Sequence, residues 1–410
     1  MYSSWFRFIP LWLVCIWLIS VLLRGTHTNI DNITSNAVTG SVFNAKRIRK
    51  FQHPYFETTA TILKTPPSSQ MCEHWGVVTT INAPTKSIHK IISQTNICLV
   101  IVADKKTPVE KYQKLETTKT IFLSVEKQEA LNDWKILSKI PWNHFGRKNL
   151  GYLYAIYHGA KTIYDFDDDN ELISSIPNFN NIFWEKVENT DVFNPYPLFI
   201  SLNDVAWPRG FPLTQIQNTS TWNLTTKTIK SSNIGVIQSL ANHDPDMDAI
   251  WRLTRKLPLY FKTNKRVVLP LGTYSSYNAQ ATIHYALWGT LLPVSVHGRV
   301  SDIWRSYIMQ RLMHDLGLHV AFVSPFVNQI RNAHNYLGDY MSERPLYEKT
   351  EELIRILKEW SGSSKMFERR MFELFVELYE YGFIERSDVL LVQAWIQTLK
   401  QMQYTFPSIN

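Results

Sequence analysis

Residues 145–172 read FGRKNLGYLYAIYHGAKTIYDFDDDNEL, and their order of helix signal, strand signal and acid cluster restricts the fold more than any other stretch. Leu150, Leu153, Tyr154 and Tyr157 recur at three- and four-residue spacing around the small Gly151 and Ala155, which predicts a helix over 148–158 packed closely on a neighbour. Gly159 supplies its stop. Thr162, Ile163 and Tyr164 form a short β-prone run, and Asp165, Asp167, Asp168, Asp169 and Glu171 crowd the turn that follows. In an open α/β sheet ligands bind beyond the carboxyl ends of the strands. Carboxylates crowded there repel one another, and a hard divalent cation, Mn²⁺ or Mg²⁺, would relieve the repulsion and hold a diphosphate.

Further motifs follow in order: NPYPLF from Asn194, WPRGFPL from Trp207 and LWGTLLPVSV from Leu287. Together with the GRKNLGYLYAIYHGAKTIYDFDDDNEL run they resemble the STELLO family of Golgi glycosyltransferase-like proteins, over roughly residues 70–345. More distantly they are similar to the reversibly glycosylated polypeptides, which carry a GR-x-x-GY helix before an acidic triplet. The resemblance implies an α/β, GT-A-like nucleotide-sugar-binding fold with a D-x-D metal motif at Asp165 and Asp167, and it implies a place for Arg147 in the nucleotide-sugar site.

Two other acidic-turn chemistries fit poorly. A helix–loop–helix calcium site needs Gly at position six and Glu at twelve, where Asn170 and Ile176 stand. A haloacid-dehalogenase-like phosphatase normally places Thr or Val where Asp169 lies. A solvated acidic loop without a ligand is the remaining structural alternative.

The net charge of +8 is concentrated at one end: residues 1–50 hold six basic residues against Asp31 alone, and the rest is nearly balanced. No basic stripe is interleaved with aromatics, so a nucleic-acid reader is not expected. Phe8 to Leu23 is an uncharged apolar run of sixteen residues between Arg7 and Arg24. It spans only about 24 Å as a helix, which suits a thin early-secretory bilayer. An uncleaved signal anchor is favoured over a cleaved signal peptide, because no small-x-small site follows. The expected organisation is a tail and anchor over 1–24, a Thr/Ser/Asn-rich stem over 25–70, a GT-A-like domain over 71–345 and a helical segment over 346–410. Sequons at Asn32, Asn218 and Asn223 fit a lumenal body of a single-pass type II protein in the Golgi or endoplasmic reticulum. Cys72 and Cys98 are candidates for a disulfide, with two unpaired buried thiols as the alternative.

The body opens with a strand at 75–81, a helix at 85–93 and a strand at 97–103, a βαβ unit whose strand ends face the same way as the acidic turn. Thr80 and Asn82 then suit a nucleotide, and Asp104 suits the imide NH of uracil. No Gly-rich phosphate loop is present, so Arg147 and Lys148 are the expected phosphate-gripping cations, with an ion pair to the crowded carboxylates as the structural reading of Arg147. The cluster Asp244, Asp246 and Asp248 either caps a helix over 249–255 or brings His243 or Asp246 to the sugar. Residues 281–319 read as two buried helices around a strand-like turn. Asp302 there is the candidate general base toward the acceptor hydroxyl, with the N-cap of a helix over 303–316 as its structural role.

The expected function is transfer of a sugar from a nucleoside diphosphate donor to a glycan or protein acceptor. A non-catalytic scaffold that assists a partner glycosyltransferase and a sugar-nucleotide mutase are the other readings.

Overall fold

The computed structural model describes residues 46–409 apart from 53–54, 56–60, 95, 180–181, 201–204, 218–223, 263 and 332–334. The first βαβ unit forms as the pattern predicts. Strand β1 (His74–Thr80), helix α1 (Lys86–Ile92) and strand β2 (Cys98–Ala103) bring Trp75 opposite Cys98 and Thr80 opposite Ala103 in parallel register. All of β2 is buried, the mark of a strand covered on both faces. Helices α2 (Val109–Gln113) and α3 (Val125–Glu129) flank β3 (Thr120–Leu123), which extends the sheet beyond β2 in parallel. The chain then returns through α4 (Lys148–Tyr157) to β4 (Thr162–Asp165), parallel to β1 on its other side. The order β3-β2-β1-β4 places a topological switch point between β1 and β4.

Beyond β4 the sheet is mixed. Strands β5 (Asn170–Leu172), β6 (Phe183–Val187), β7 (Leu224–Lys230) and β8 (Ile234–His243) precede helix α5 (Ala249–Thr254), and β9 (Arg266–Val268) and β10 (Thr282–His284) precede α6 (Gly298–Asp315) and β11 (His319–Gln329). The sheet runs β3-β2-β1-β4-β10-β8-β11-β9-β6-β7, with β5 paired to β11. The result is a mixed α/β body on one large central sheet. Three helices end the chain: α7 (Tyr336–Glu359), α8 (Phe367–Glu380) and α9 (Arg386–Gln401).

Three expectations change, and the candidate disulfide forms. The first of the two helices expected in 281–319 is instead β10, because residues 282–284 pair on both sides with β4 and β8. The boundary expected at 345–346 falls inside α7, which runs through Pro345. The later part of the expected stem is no free spacer: Ile48 and Arg49 donate backbone N–H to Glu380 O, Arg47 pairs with Glu377 at 2.8 Å, and Leu63 N–H bonds Gln401 O. Cys72 and Cys98 are joined, with Cα atoms 6.3 Å apart. The expected anchor at 8–23 and the sequons at Asn32, Asn218 and Asn223 lie outside the described residues. No helix among the described residues is long and apolar enough to cross a membrane.

Close packing of α4 on the sheet depends on Gly151, where a Cβ would lie 2.7 Å from both Val102 Cγ2 and Val77 Cγ1. Gly151→Val should therefore cost about 3 kcal/mol through overpacking. Gly338→Ala, where added atoms meet only Asn335 at 3.6 Å or more, should be neutral or gain up to about 1 kcal/mol. Urea denaturation of both variants checks the contrast.

Candidate active site

Strand alternation turns Asp165 inward, toward α4, while Asp167, Asp168 and Asp169 of the turn stay partly exposed. Its carboxylate is fully buried. Lys148 Nζ lies 2.7 Å from Oδ1, Arg305 Nη1 lies 3.0 Å from Oδ2, and Tyr152 Oη donates to Oδ2 at 2.8 Å. Burial alone would raise this carboxyl, but Lys148 and Arg305 outweigh it and hold it well below the usual carboxylate range. His284 Nε2 lies 3.5 Å away, and burial pulls that imidazole down to about 4, so it stays neutral beside the ion pairs. Asp165 is thus a fully buried counter-ion, whereas the expected metal role calls for an outward carboxylate. Lys148 is likewise committed, to Asp165, to Asp167 Oδ1 at 3.1 Å and to Phe166 O at 2.8 Å. The ammonium expected to grip phosphate is therefore engaged within the protein.

Asp167, Asp168 and Asp169 form the partly exposed part of the turn. Asp167 accepts from Gln280 Nε2 at 3.1 Å, and Asp168 Oδ2 accepts from Thr80 Oγ1 at 2.5 Å and Asn82 Nδ2 at 3.0 Å. Burial, then the charge of Asp167, push the Asp169 carboxyl up to about 7, and its Oδ1 has no hydrogen-bond partner among the described residues. These are hard oxygen donors under mutual repulsion, which fits a divalent cation. Among the described residues no group of three or more His, Cys, Asp or Glu is assembled around one point. Mg²⁺-type sites on phosphate substrates ordinarily use one or two carboxylates and take the rest from phosphate and water.

Beside this turn, at the carboxyl ends of β1 and β2, lies a pocket of about 300 Å³ lined by Thr80, Asn82, Asp104, Asn143, His144 and Asp168 among others. The expected nucleotide residues Thr80, Asn82 and Asp104 therefore converge. Asp104, however, is buried and spent on backbone: its carboxylate accepts from Asn143 N–H at 2.7 Å, His144 N–H at 2.8 Å and Lys105 N–H at 2.7 Å. Both of its carboxylate oxygens are thereby engaged along the pocket wall. Arg147 turns away: it stacks 3.6 Å over Trp142 and donates to Gln128 Oε1 and Ile140 O. Burial lowers it to about 10, so it remains charged, and its partner is an amide rather than the phosphate or carboxylate expected.

Asp246 and Asp302 come together around a residue that sequence reasoning passed over. Arg209 Nη2 lies 2.9 Å from Asp246 Oδ2 and 2.9 Å from Asp302 Oδ2, and Arg331 Nη2 lies 2.9 Å from Asp246 Oδ1. Burial, with Asp246 nearby, raises the Asp302 carboxyl despite Arg209. Asp302 is not an N-cap, since α6 starts at Gly298 with His297 as its cap. Asp248 does cap α5, accepting from Trp251 N–H at 2.8 Å, and Asp244 pairs with Arg252. His243 ends β8 in the left-handed region at φ 79°. Residues 278–280 connect the two acidic centres: Asn278 donates to Asp246, Ala279 N–H to Asp302 and Gln280 to Asp167. Arg209 lies inside WPRGFPL, and Arg305 lies one turn after Asp302, so both carried a readable signal. Gln280, His284 and Arg331 carried none.

A family model described as STELLO glycosyltransferases matches residues 299–410, from the first turn of α6 through the C-terminal helices. The chain is 30% identical over 367 residues to "Probable glycosyltransferase STELLO2" of Arabidopsis thaliana, across 84% of its own length. This is a STELLO-like chain. A second relative, "Probable glycosyltransferase STELLO1" of the same plant, is 29% identical over 367 residues. The STELLO-like chain spans about half the length of these curated relatives, 47% and 46%.

Two outcomes follow for the STELLO-like chain. Asp165→Asn leaves Lys148 and Arg305 facing a neutral group and should cost about 3–5 kcal/mol, measured by denaturant unfolding; loss of like-charge repulsion will not compensate, because the near neighbours of Asp165 are cations. His284, held near 4 against an unfolded value of about 6.5, contributes stability that is complete above pH 6.5 and lost as pH falls toward 4. Relative to native protein, His284→Gln should therefore gain up to about 1.4 kcal/mol per pH unit on acidification through that window. A stability difference that stays constant from pH 7 to 5 would show that the imidazole protonates freely in the fold.

Proposed function

We propose that this chain is a metal-dependent glycosyltransferase of GT-A architecture that takes a nucleoside diphosphate sugar as donor. The observation that carries the reading is the pocket at the carboxyl ends of β1 and β2, where Thr80 and Asn82 hold Asp168 between Asp167 and the largely buried carboxyl of Asp169. The nucleoside enters against Thr80, Asn82, Asn143 and His144. Asp167 and Asp169, rather than Asp165, are the residues to hold Mn²⁺ or Mg²⁺, which when bound would neutralise charge on the leaving diphosphate. Lys148 fixes the orientation of Asp167 from behind, and Gln280 fixes it from the side. Asp302 and Asp246 mark the acceptor side, a glycan or protein hydroxyl, with Arg209 holding the two carboxylates at a set separation. A lumenal, membrane-anchored body in the Golgi or endoplasmic reticulum accords with the Cys72–Cys98 bond, since disulfides persist in oxidising compartments.

One observation favours a second reading. Asp246 and Asp302 are both buried and both engaged by Arg209, so neither presents a free carboxylate to an acceptor. A non-catalytic module that assists a partner glycosyltransferase would retain donor binding without needing a free base.

The test is a panel of nucleoside diphosphate sugars offered to the full chain with Mn²⁺. Asp167→Asn together with Asp169→Asn should weaken Mn²⁺-dependent donor binding roughly tenfold or more while circular dichroism stays native. Equal affinity in the folded double variant would remove the metal assignment, and donor binding without turnover in the native chain would favour the assisting module.

A further inference from the structure

The donor pocket has two ends. Strands β2, β1 and β4 lie side by side in that order, and the acidic turn follows β4, so the end over β2 is two strand spacings away, about 10 Å. With metal and diphosphate at the β4 end, the nucleobase falls to the β2 end. Asp104, the residue after β2, builds that end. Its carboxylate holds the backbone N–H groups of Asn143 and His144 at 2.7 and 2.8 Å, and Asn143 is bent into the left-handed region at φ 53°. Asparagine tolerates that region better than most residues. Directly after the bend, the half-buried His144 lines the pocket.

One nitrogen of the His144 ring is already engaged. Nδ1 accepts the N–H of Gly146 at 3.0 Å, which requires an unprotonated nitrogen. A neutral imidazole then carries its proton on Nε2. Burial lowers this imidazole against the pull of Asp104, so the ring is neutral at pH 7. Phe145 packs on it with ring centroids 4.1 Å apart. Gly146 permits the close approach, since a Cβ there would lie 3.0 Å from Nδ1 and 2.5 Å from Val294 Cγ1. No group among the described residues takes the Nε2 proton. The ring therefore brings one hydrogen-bond donor of fixed polarity to the pocket.

The other polar side chains at this end discriminate less. Asn143 and Lys106 are exposed: the amide presents a donor or an acceptor on turning over, and the ammonium rides on a flexible stem. A base carbonyl satisfies the Nε2–H donor, whereas an exocyclic amine in its place sets donor against donor. We propose that His144 is the base-reading residue of the donor pocket and selects a base with a carbonyl, uracil or guanine, over the amino counterpart, cytosine or adenine. The assignment rests on the donor-pocket reading proposed above and adds to it the class of base.

UDP against CDP and GDP against ADP are the probes, because within each pair the base differs at the carbonyl or amine edge. Pyrophosphate, which has no base, reports the diphosphate end alone. Binding to the full chain with Mn²⁺ is followed by isothermal titration calorimetry. In at least one pair the native chain should bind the carbonyl member about tenfold more tightly. His144→Phe keeps a stacking ring without a donor and should bring that pair within about twofold, with pyrophosphate affinity unchanged. His144→Gln, whose amide can turn either way, should raise affinity for the amino member. The proposal is overturned if the native chain shows no preference in either pair, if His144→Phe keeps the preference, or if the preference and pyrophosphate affinity are lost together. Should His144→Phe not fold, His144→Gln decides, and a preference equal to the native one overturns the assignment. Nucleotide binding without preference removes His144 alone, whereas a native chain that binds neither pyrophosphate nor any nucleotide removes the donor pocket as well.

Discussion

A single buried carboxylate organises the centre of the molecule. Asp165, at the end of β4, is bound by Lys148 and Tyr152 from α4 and by Arg305 from α6, with His284 of β10 alongside. Two cations in a low-dielectric interior are tolerable only while their counter-charge stays in place. The charge centre therefore fixes the parallel half of the sheet, its antiparallel neighbour and the longest helix of the α/β body in one relative position. The outward part of the acidic turn inherits that position, because Lys148 reaches Asp167 as well.

The C-terminal helices belong to the same arrangement. Glu343 of α7 is buried and accepts from Arg299 at 2.7 Å and from the first N–H of α5, Ala249, at 2.7 Å. Asp388 of α9 accepts from the backbone of Val294 and Ser295, just before α6, and Trp395 donates to Trp288 O. Through these bonds the helices set where α5 and α6 begin, and so where Asp246 and Asp302 stand relative to Arg209. That the family match begins at Arg299 and runs through these helices accords with a helical segment that is integral rather than appended.

Much of the parallel half of the sheet was legible. The apolar run CLVIVA reads as a doubly covered strand, the Gly151/Ala155 stripe as a helix packed close to the sheet, and the acids after TIY as a turn at a strand end. Misassignments cluster where the deciding contact is distant. Residues 282–284 form a strand because β4 and β8 flank them, and residues 47–49 are held by Glu377, Glu380 and Glu385, more than 300 positions away. The hydrogen-bond partners of Asp104, Arg147 and Lys148 were not legible, because they are backbone groups and side chains that no local pattern marks.

The sequence by itself determined that five acids would crowd the end of a buried strand beside a βαβ unit, because apolar periodicity and β-propensity act over a few residues. Only the tertiary structure decided which acid went inside. Alternation along β4 turns Asp165 toward α4, and Arg305, 140 positions later, makes its burial affordable, leaving Asp167, Asp168 and Asp169 in the partly exposed turn. Charge in a low-dielectric interior depends on partners in space, and those partners are set by the packing of elements rather than by their order in the chain.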